Sequence, residues 1–156
     1  MRRTVKNRNV AKADLKYNSL EVGKFINYCM WSGKKVTASL VVYRAFDAIA
    51  EKEKTENPIE IFNTALKNTA PSVEVRSRRV GGANYQVPRE VRPERRMYLS
   101  MKWIIDAARG KKGSPMHMRL ADELIAASKN DGEAVRKKDN THKMAEANKA
   151  FAHFAW

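Results

Sequence analysis

The side chains in this sequence best placed to do chemistry are arginines, and the chemistry is phosphate recognition. Arg76, Arg78 and Arg79 precede a Gly81-Gly82 pair, and Arg89, Arg92, Arg95 and Arg96 follow it. A guanidinium is planar, permanently charged and forked, so it meets two phosphate oxygens at once where a lysine presents a single point charge. Glu74, Glu90 and Glu94 are the nearby acids, and they are too few to neutralise these arginines. A second basic set, Lys102, Arg109, Lys111 and Lys112, leads into Gly113, and Lys34-Lys35 follows Gly33. A third, Arg2, Arg3, Lys6, Arg8, Lys12 and Lys16, stands against the lone acid Asp14 in residues 1–18.

Bond-making chemistry finds no comparable support. His117, His142 and His153 lack metal-ligand spacing and have no clustered cysteines beside them. Cys29 falls on an apolar helical stripe, where a thiol acts as a small hydrophobe, and a single cysteine excludes an internal disulfide. Gly33-Lys34-Lys35 is not a phosphate-binding loop of the Walker type: position 28 is Tyr28 where that loop needs glycine, and Lys35 stands where it needs Ser or Thr. Gly110-Lys111-Lys112 fails on the same grounds. Acidic residues are scattered among basic ones and offer no carboxylate pair for acid/base work. The expectation is a non-enzyme with no metal and no cofactor.

Over 156 residues, 31 Lys and Arg face 17 Asp and Glu, a formal net charge of +14. Self-repulsion of that size opposes compaction and is relieved by a polyanion, nucleic acid first and an anionic membrane second. No stretch approaches the ~20 apolar residues of a spanning helix. The basic N-terminus has no apolar core of a secretory signal, and it fits a transit peptide by charge alone.

The elements that must position these cations read as mainly α. Residues 1–18 lack apolar periodicity and read as a basic arm, flexible alone and ordered on its partner. Ser19 caps a first helix whose Val22, Phe25, Ile26, Cys29 and Met30 share one face, with Gly33 as its stop. A second helix spans about Thr37 to Lys54, with Ala38, Val41, Val42, Ala45, Phe46 and Ile49 inward. Asn57, Pro58 and Glu60 have the spacing of a capping box at the start of a third helix, whose Phe62, Ala65, Leu66 and Thr69 line one side up to Pro71. The period then changes from helical to alternating. Val73, Val75 and Ser77 alternate with Glu74, Arg76 and Arg78, Gly81-Gly82 supplies a tight turn, and Tyr85 and Val87 return. This predicts a β-hairpin at about 72–90, its strands reaching ~20–25 Å at the usual rise per residue. A fourth helix starts at Pro93-Glu94 with Met97, Met101, Ile104, Ile105 and Ala108 inward. Ser114-Pro115 opens a fifth with Met116, Leu120, Leu124 and Ala127. A polar sixth runs from about Glu133 to Phe151 with a weak stripe of Met144, Ala147 and Phe151, and Lys137, Lys138 and Lys143 offer a second basic surface. The fold class expected is a six-helix, bundle-like domain over 19–156, carrying a protruding hairpin and a basic arm. Such a body suits RNA, but a helical bundle with a basic β-arm also describes a DNA-bending architectural protein.

Three stretches decide between them. Val73-Glu74-Val75-Arg76-Ser77-Arg78-Arg79-Val80-Gly81-Gly82-Ala83 is followed by Tyr85-Gln86-Val87-Pro88 and by Val91-Arg92-Pro93-Glu94-Arg95-Arg96. His142 to His153 reads HKMAEANKAFAH, and Gly33-Lys34-Lys35 follows the first helix. In order and spacing, over essentially the whole chain, this resembles the small-subunit ribosomal protein seven family in its bacterial and organellar form. The ending Phe154-Ala155-Trp156 departs from the family's aromatic-Arg-Trp, and the arm lacks the family's proline-containing segment.

The resemblance implies primary binding to the 3′ major domain of small-subunit rRNA, nucleation of the subunit head, and a place beside exit-site tRNA and the mRNA exit path. It implies small-subunit proteins nine and eleven as neighbours and a cytoplasmic or organellar ribosome as the location. Carried onto this sequence, the rRNA-binding candidates are Arg2, Arg3, Lys6, Arg8, Lys12, Lys34, Lys35, Arg76, Arg78, Arg79, Arg92, Arg95, Arg96, Lys102, Arg109, Lys111 and Lys112. The tRNA-proximal candidates are Arg79, Gly81, Gly82, Asn84, His142 and Lys143.

Overall fold

A computed structural model describes residues 11–154. These fall into two compact units that meet in sequence between Leu40 and Val41.

In the first unit, α1 (Leu20–Cys29) buries Val22, Phe25 and Ile26 as its spacing predicts. Ser19 Oγ accepts the Val22 N–H at 3.4 Å, a long cap. The helix ends before Gly33. Met30 turns extended while its N–H still donates to Ile26 O at 2.9 Å, and Gly33 serves the turn that follows. From residue 11 the expected flexible arm is folded onto α1. Asp14, 8% exposed, accepts the N–H groups of Lys16 and Tyr17 at 3.1 Å, and its own N–H donates to Ser19 O at 3.0 Å. Gly23 permits this approach, since a Cβ there would lie 2.4 Å from Lys12 O. Asp14 thus forms the turn that precedes α1. Arg2, Arg3, Lys6 and Arg8 lie outside the described residues.

α2 (Lys35–Glu53) begins two residues before the expected Thr37. In the second unit it contributes Val42, Ala45, Phe46 and Ile49 to the core. α3 (Pro58–Thr69) buries the expected Phe62, Ala65, Leu66 and Thr69. Phe46 and Phe62 meet with ring centroids 5.5 Å apart, tilted at 58°. Complete burial of each ring is worth ~2–3 kcal/mol. The capping box at Asn57 does not form: its side chain makes no cap to the backbone and instead donates to Glu60 Oε1 at 3.2 Å.

α4 (Pro93–Gly110) and α5 (Met116–Ser128) carry the expected apolar faces, with Ala121 and Glu123 buried in addition. Pro115, not Ser114, is the residue before the α5 helix proper. α3 packs on α5, and α4 packs on α5 and α6. α6 (Glu133–Ala147) is shorter than expected and gives way to a 3-10 helix, α7 (Lys149–Phe154). Its inward face is Ala134, Val135 and Ala145, while Met144 is 53% exposed, so the expected Met144 stripe lies on the wrong side. The reason is composition: with so few large apolar residues, alanines set the contact and the periodic signal is lost.

Between α3 and α4 stand β1 (Val73–Val80) and β2 (Ala83–Glu90), antiparallel and joined by Gly81-Gly82 with φ of +56° and +88°. Both positive φ values suit the tight turn that follows the right-handed twist of the strands.

Candidate nucleic-acid interface

The hairpin register decides which way each arginine points. Arg78 pairs with Tyr85, Arg76 with Val87 and Glu74 with Arg89, whereas Arg79 pairs with Asn84 and Ser77 with Gln86. Directly opposed residues of an antiparallel pair share a face. Glu74, Arg76, Arg78, Tyr85, Val87 and Arg89 therefore lie on one face, and Val73, Val75, Ser77, Arg79 and Asn84 lie on the other. Alternation within each strand could not reveal this, because the apolar residues of the two strands sit on opposite sides.

The first face meets the C-terminal segment. Tyr85 lies 5.2 Å from the Phe151 ring and 5.4 Å from Phe154, centroid to centroid. Arg78 Nη1 donates to the Phe154 carbonyl. Such aromatic pairs contribute ~0.5–1.5 kcal/mol each beyond area burial. Arg78 is accordingly half-buried, and Arg79, on the other face beside the exposed turn Gly81, Gly82 and Asn84, is open to a partner.

Toward the root, a cleft of about 330 Å³ is lined by Glu74, Arg76, Arg89, Glu90, Arg92 and Arg95. Glu74 organises it. Its carboxylate takes Arg76 at 2.6 Å and Arg95 at 3.3 Å, while the Arg95 guanidinium also lies 5.1 Å from the Tyr98 ring centroid. One carboxylate holding two guanidiniums fixes their geometry and leaves the cleft with excess positive charge, a cradle for a phosphate oxygen. Arg92 and Arg96 are exposed at the start of α4.

The root is held by polar contacts that pattern reading missed. Thr69 Oγ1 and Ser100 Oγ meet at 2.6 Å, both buried, and Ser100 Oγ donates to Leu66 O at 2.9 Å. Asn68 Nδ2 donates to Ala127 O and Ser128 O, each at 2.9 Å, closing the end of α5. Lys138, expected on a basic surface, instead sends its ammonium inward to Asn68 O at 2.8 Å. His142 Nε2 accepts the Ser72 N–H at 3.1 Å, so α6 grips the first residue before β1. Lys143 is exposed.

The α4–α5 cations separate by role. Lys102 pairs with Asp106 at 2.9 Å along its own helix. Arg109 is half-buried, and its carbonyl accepts from Arg119 Nη1 at 3.4 Å. The Lys111 ammonium lies 2.6 Å from the fully buried Glu123. Lys112 is exposed. Lys137 lines a second cleft of about 560 Å³ with Trp103, Asp106, Lys111 and Arg136. In the first unit, Lys12, Lys34 and Lys35 are exposed. Among the described residues no group of His, Cys, Asp and Glu is arranged to hold a metal, and no helix is long and apolar enough to cross a membrane.

An exposed guanidinium beside the hairpin turn, an arginine cleft at its root and a helical body that braces both define a nucleic-acid-binding protein. Comparison with known proteins identifies which kind. A model of the family described as Ribosomal protein S7p/S5e matches residues 1–149. The small ribosomal subunit protein uS7 of Francisella tularensis subsp. holarctica (strain OSU18) is 58% identical over 143 residues, covering 92% of this chain and 91% of that protein. Those of subsp. novicida (strain U112) and subsp. tularensis (strain WY96-3418) are 57% identical over the same span. The chain belongs to the ribosomal protein S7 family. It is a structural constituent of the small ribosomal subunit that binds rRNA and catalyses no reaction. This agrees with the resemblance read from the sequence and sets aside the architectural DNA-binding alternative.

Proposed function

We propose that this chain is a primary binder of the 3′ major domain of small-subunit rRNA and nucleates assembly of the subunit head. The observation that carries this is the arginine cleft at the hairpin root, with the exposed Arg79 beside the tip. Cations held at several points of one braced body grip several RNA segments at once, and binding then favours the RNA junction geometry in which all are gripped. The root cleft, Arg92, Arg96 and Lys112, together with Lys12, Lys34, Lys35 and the arm of residues 1–18, bind rRNA on this reading. Arg79, Gly81, Gly82 and Asn84 approach exit-site tRNA near the mRNA exit path, with His142 and Lys143 in the same neighbourhood. Residues 19–156 act as one functional domain, and small-subunit proteins nine and eleven are its neighbours. The Francisella relatives favour a bacterial cytoplasmic ribosome over an organellar one.

The test is a filter-binding titration of the full chain against the 3′ major domain of small-subunit rRNA, with equal-length duplex DNA as competitor, at two salt concentrations. Tight rRNA binding that survives excess DNA at the higher salt is expected. Equal affinity for both, collapsing together as salt rises, would reduce the basic surface to a generic polyanion grip.

A further inference from the structure

Glu74 and Glu90 line the arginine cleft at the hairpin root, where a carboxylate repels the phosphate the cleft would hold. Glu74 is nonetheless fixed there. Its side chain is only 13% exposed, whereas those of Arg76 and Arg95 are 55% and 44% exposed. Glu74 Oε1 accepts from Arg76 Nε at 2.8 Å and Nη2 at 2.6 Å, and Oε2 accepts from Arg95 Nε at 3.3 Å. Each carboxylate oxygen thus holds one guanidinium by its Nε side. Arg76 Nη1 and both Nη groups of Arg95 remain for an outside acceptor. Glu74 belongs to β1 and Arg95 to α4, so the clasp also joins the two walls of the cleft. Glu90, exposed on β2, holds neither arginine.

We infer that Glu74 is the specificity-determining residue of this cleft: by clamping Arg76 and Arg95 it sets two guanidiniums at one spacing, matched to phosphates of folded rRNA and not to those of any polyanion. The inference rests on the rRNA-binding reading above and adds to it the residue that governs selectivity. Coulomb's law alone predicts the reverse, that removing a carboxylate from a basic cleft strengthens binding to every polyanion. Side-chain entropy opposes that gain. A free arginine loses rotamer freedom when it is immobilised on a phosphate, and the clamp removes that cost in advance for two of them. Only a ligand whose phosphates fall where the guanidiniums already stand benefits. Folded RNA is recognised by such backbone geometry. A purely stabilising clasp is the weaker reading, because ion pairs with partners this exposed contribute little to stability.

The experiment compares Glu74→Gln with Glu90→Gln in the full chain, two variants that remove the same charge from the same cleft. Binding to the 3′ major domain rRNA and to equal-length duplex DNA is measured, with circular dichroism on each variant. Glu74→Gln is expected to bind rRNA about 5-fold to 140-fold more weakly, the range that corresponds to ~0.5–1.5 kcal/mol for each of two arginines ordered on binding. It is expected to bind duplex DNA at least as tightly as the wild-type chain does. Glu90→Gln is expected to weaken neither. In a chain that already carries Arg76→Ala and Arg95→Ala, Glu74→Gln should strengthen rRNA binding, because only the change in charge is left to act. Wild-type or tighter rRNA binding by Glu74→Gln overturns the inference, as does an equal loss for rRNA and DNA, an equal loss in Glu90→Gln, a loss that persists in the double-alanine background, or loss of helicity in Glu74→Gln. A wild-type chain that fails to prefer rRNA over duplex DNA instead sinks the rRNA-binding reading itself, so the two failures are distinguishable.

Discussion

The Lys111 ammonium lies 2.6 Å from Glu123, whose side chain has no solvent exposure. Glu123 Oε1 also accepts the Ala134 N–H at 3.0 Å, in the first turn of α6. One buried carboxylate on α5 thus caps α6 and anchors the α4–α5 loop. The helix N-terminus and the lysine together stabilise its charge. Arg119 reinforces the knot by donating to the Lys111 carbonyl. A lysine that composition groups with RNA-facing cations spends its charge inside the protein.

Lys111→Met should therefore act on stability. Breaking a fully dry ion pair costs ~3–5 kcal/mol. The Lys111 side chain is 38% exposed, so water replaces part of the loss, and about 2 kcal/mol is the expected cost. Urea unfolding measures it. Lys112→Met, one residue on and exposed, should leave the unfolding midpoint alone and flatten the salt dependence of rRNA binding. Interchanged effects would show that the assignment of roles is reversed.

Gly132→Ala should destabilise the same junction. Gly132 precedes α6 with φ of +99°, and an added Cβ would lie 2.8 Å from Glu123 Oε1 and 3.3 Å from Ala126 Cβ. The carboxylate cannot retreat without losing Ala134. Strain and weakened capping together should cost about 2–3 kcal/mol, read as a lower thermal midpoint. A neutral substitution would show that the α5–α6 turn relaxes freely.

Changing Arg76, Arg78 and Arg79 together to Ala should weaken rRNA binding and flatten its salt slope while leaving helicity unchanged. The single variants should differ. Arg79→Ala removes an exposed charge next to the turn and should reduce the slope by about 0.7–0.9 for each phosphate left unneutralised. Arg78→Ala also removes the donor to the Phe154 carbonyl and should loosen the C-terminal segment. Loss of helicity in the triple variant would make these arginines structural.

Tyr85→Ala should uncouple the hairpin from α7. It removes two ring pairings, to Phe151 and Phe154, expected to cost about 1–3 kcal/mol locally. Hydrogen exchange should show faster exchange in β1, β2 and residues 149–154, with protection of α3, α4 and α5 retained. Uniform loss of protection would show that the hairpin and helical core unfold as one unit.

The sequence alone determined the elements with a strong local signal. Phe62, Ala65, Leu66 and Thr69 on α3, and Met101, Ile104, Ile105 and Ala108 on α4, recur at helical spacing because large apolar groups must share one face to leave water. Gly81-Gly82 marked the hairpin turn because glycine, with no Cβ, accepts positive φ values cheaply. The excess of arginine around it implies a polyanion partner by charge alone. Tertiary structure decided what periodicity does not encode. Hairpin register put Arg78 against Phe154 and Arg79 on the opposite face, since cross-strand partners are set by pairing between strands, not within them. Lys138 turned inward to Asn68 O, Lys111 to Glu123, and α6 packed on alanines, because each depends on which element lies opposite. A side chain's charge is fixed by its own chemistry, but whether that charge faces RNA or a buried partner is fixed only when the chain brings distant residues together.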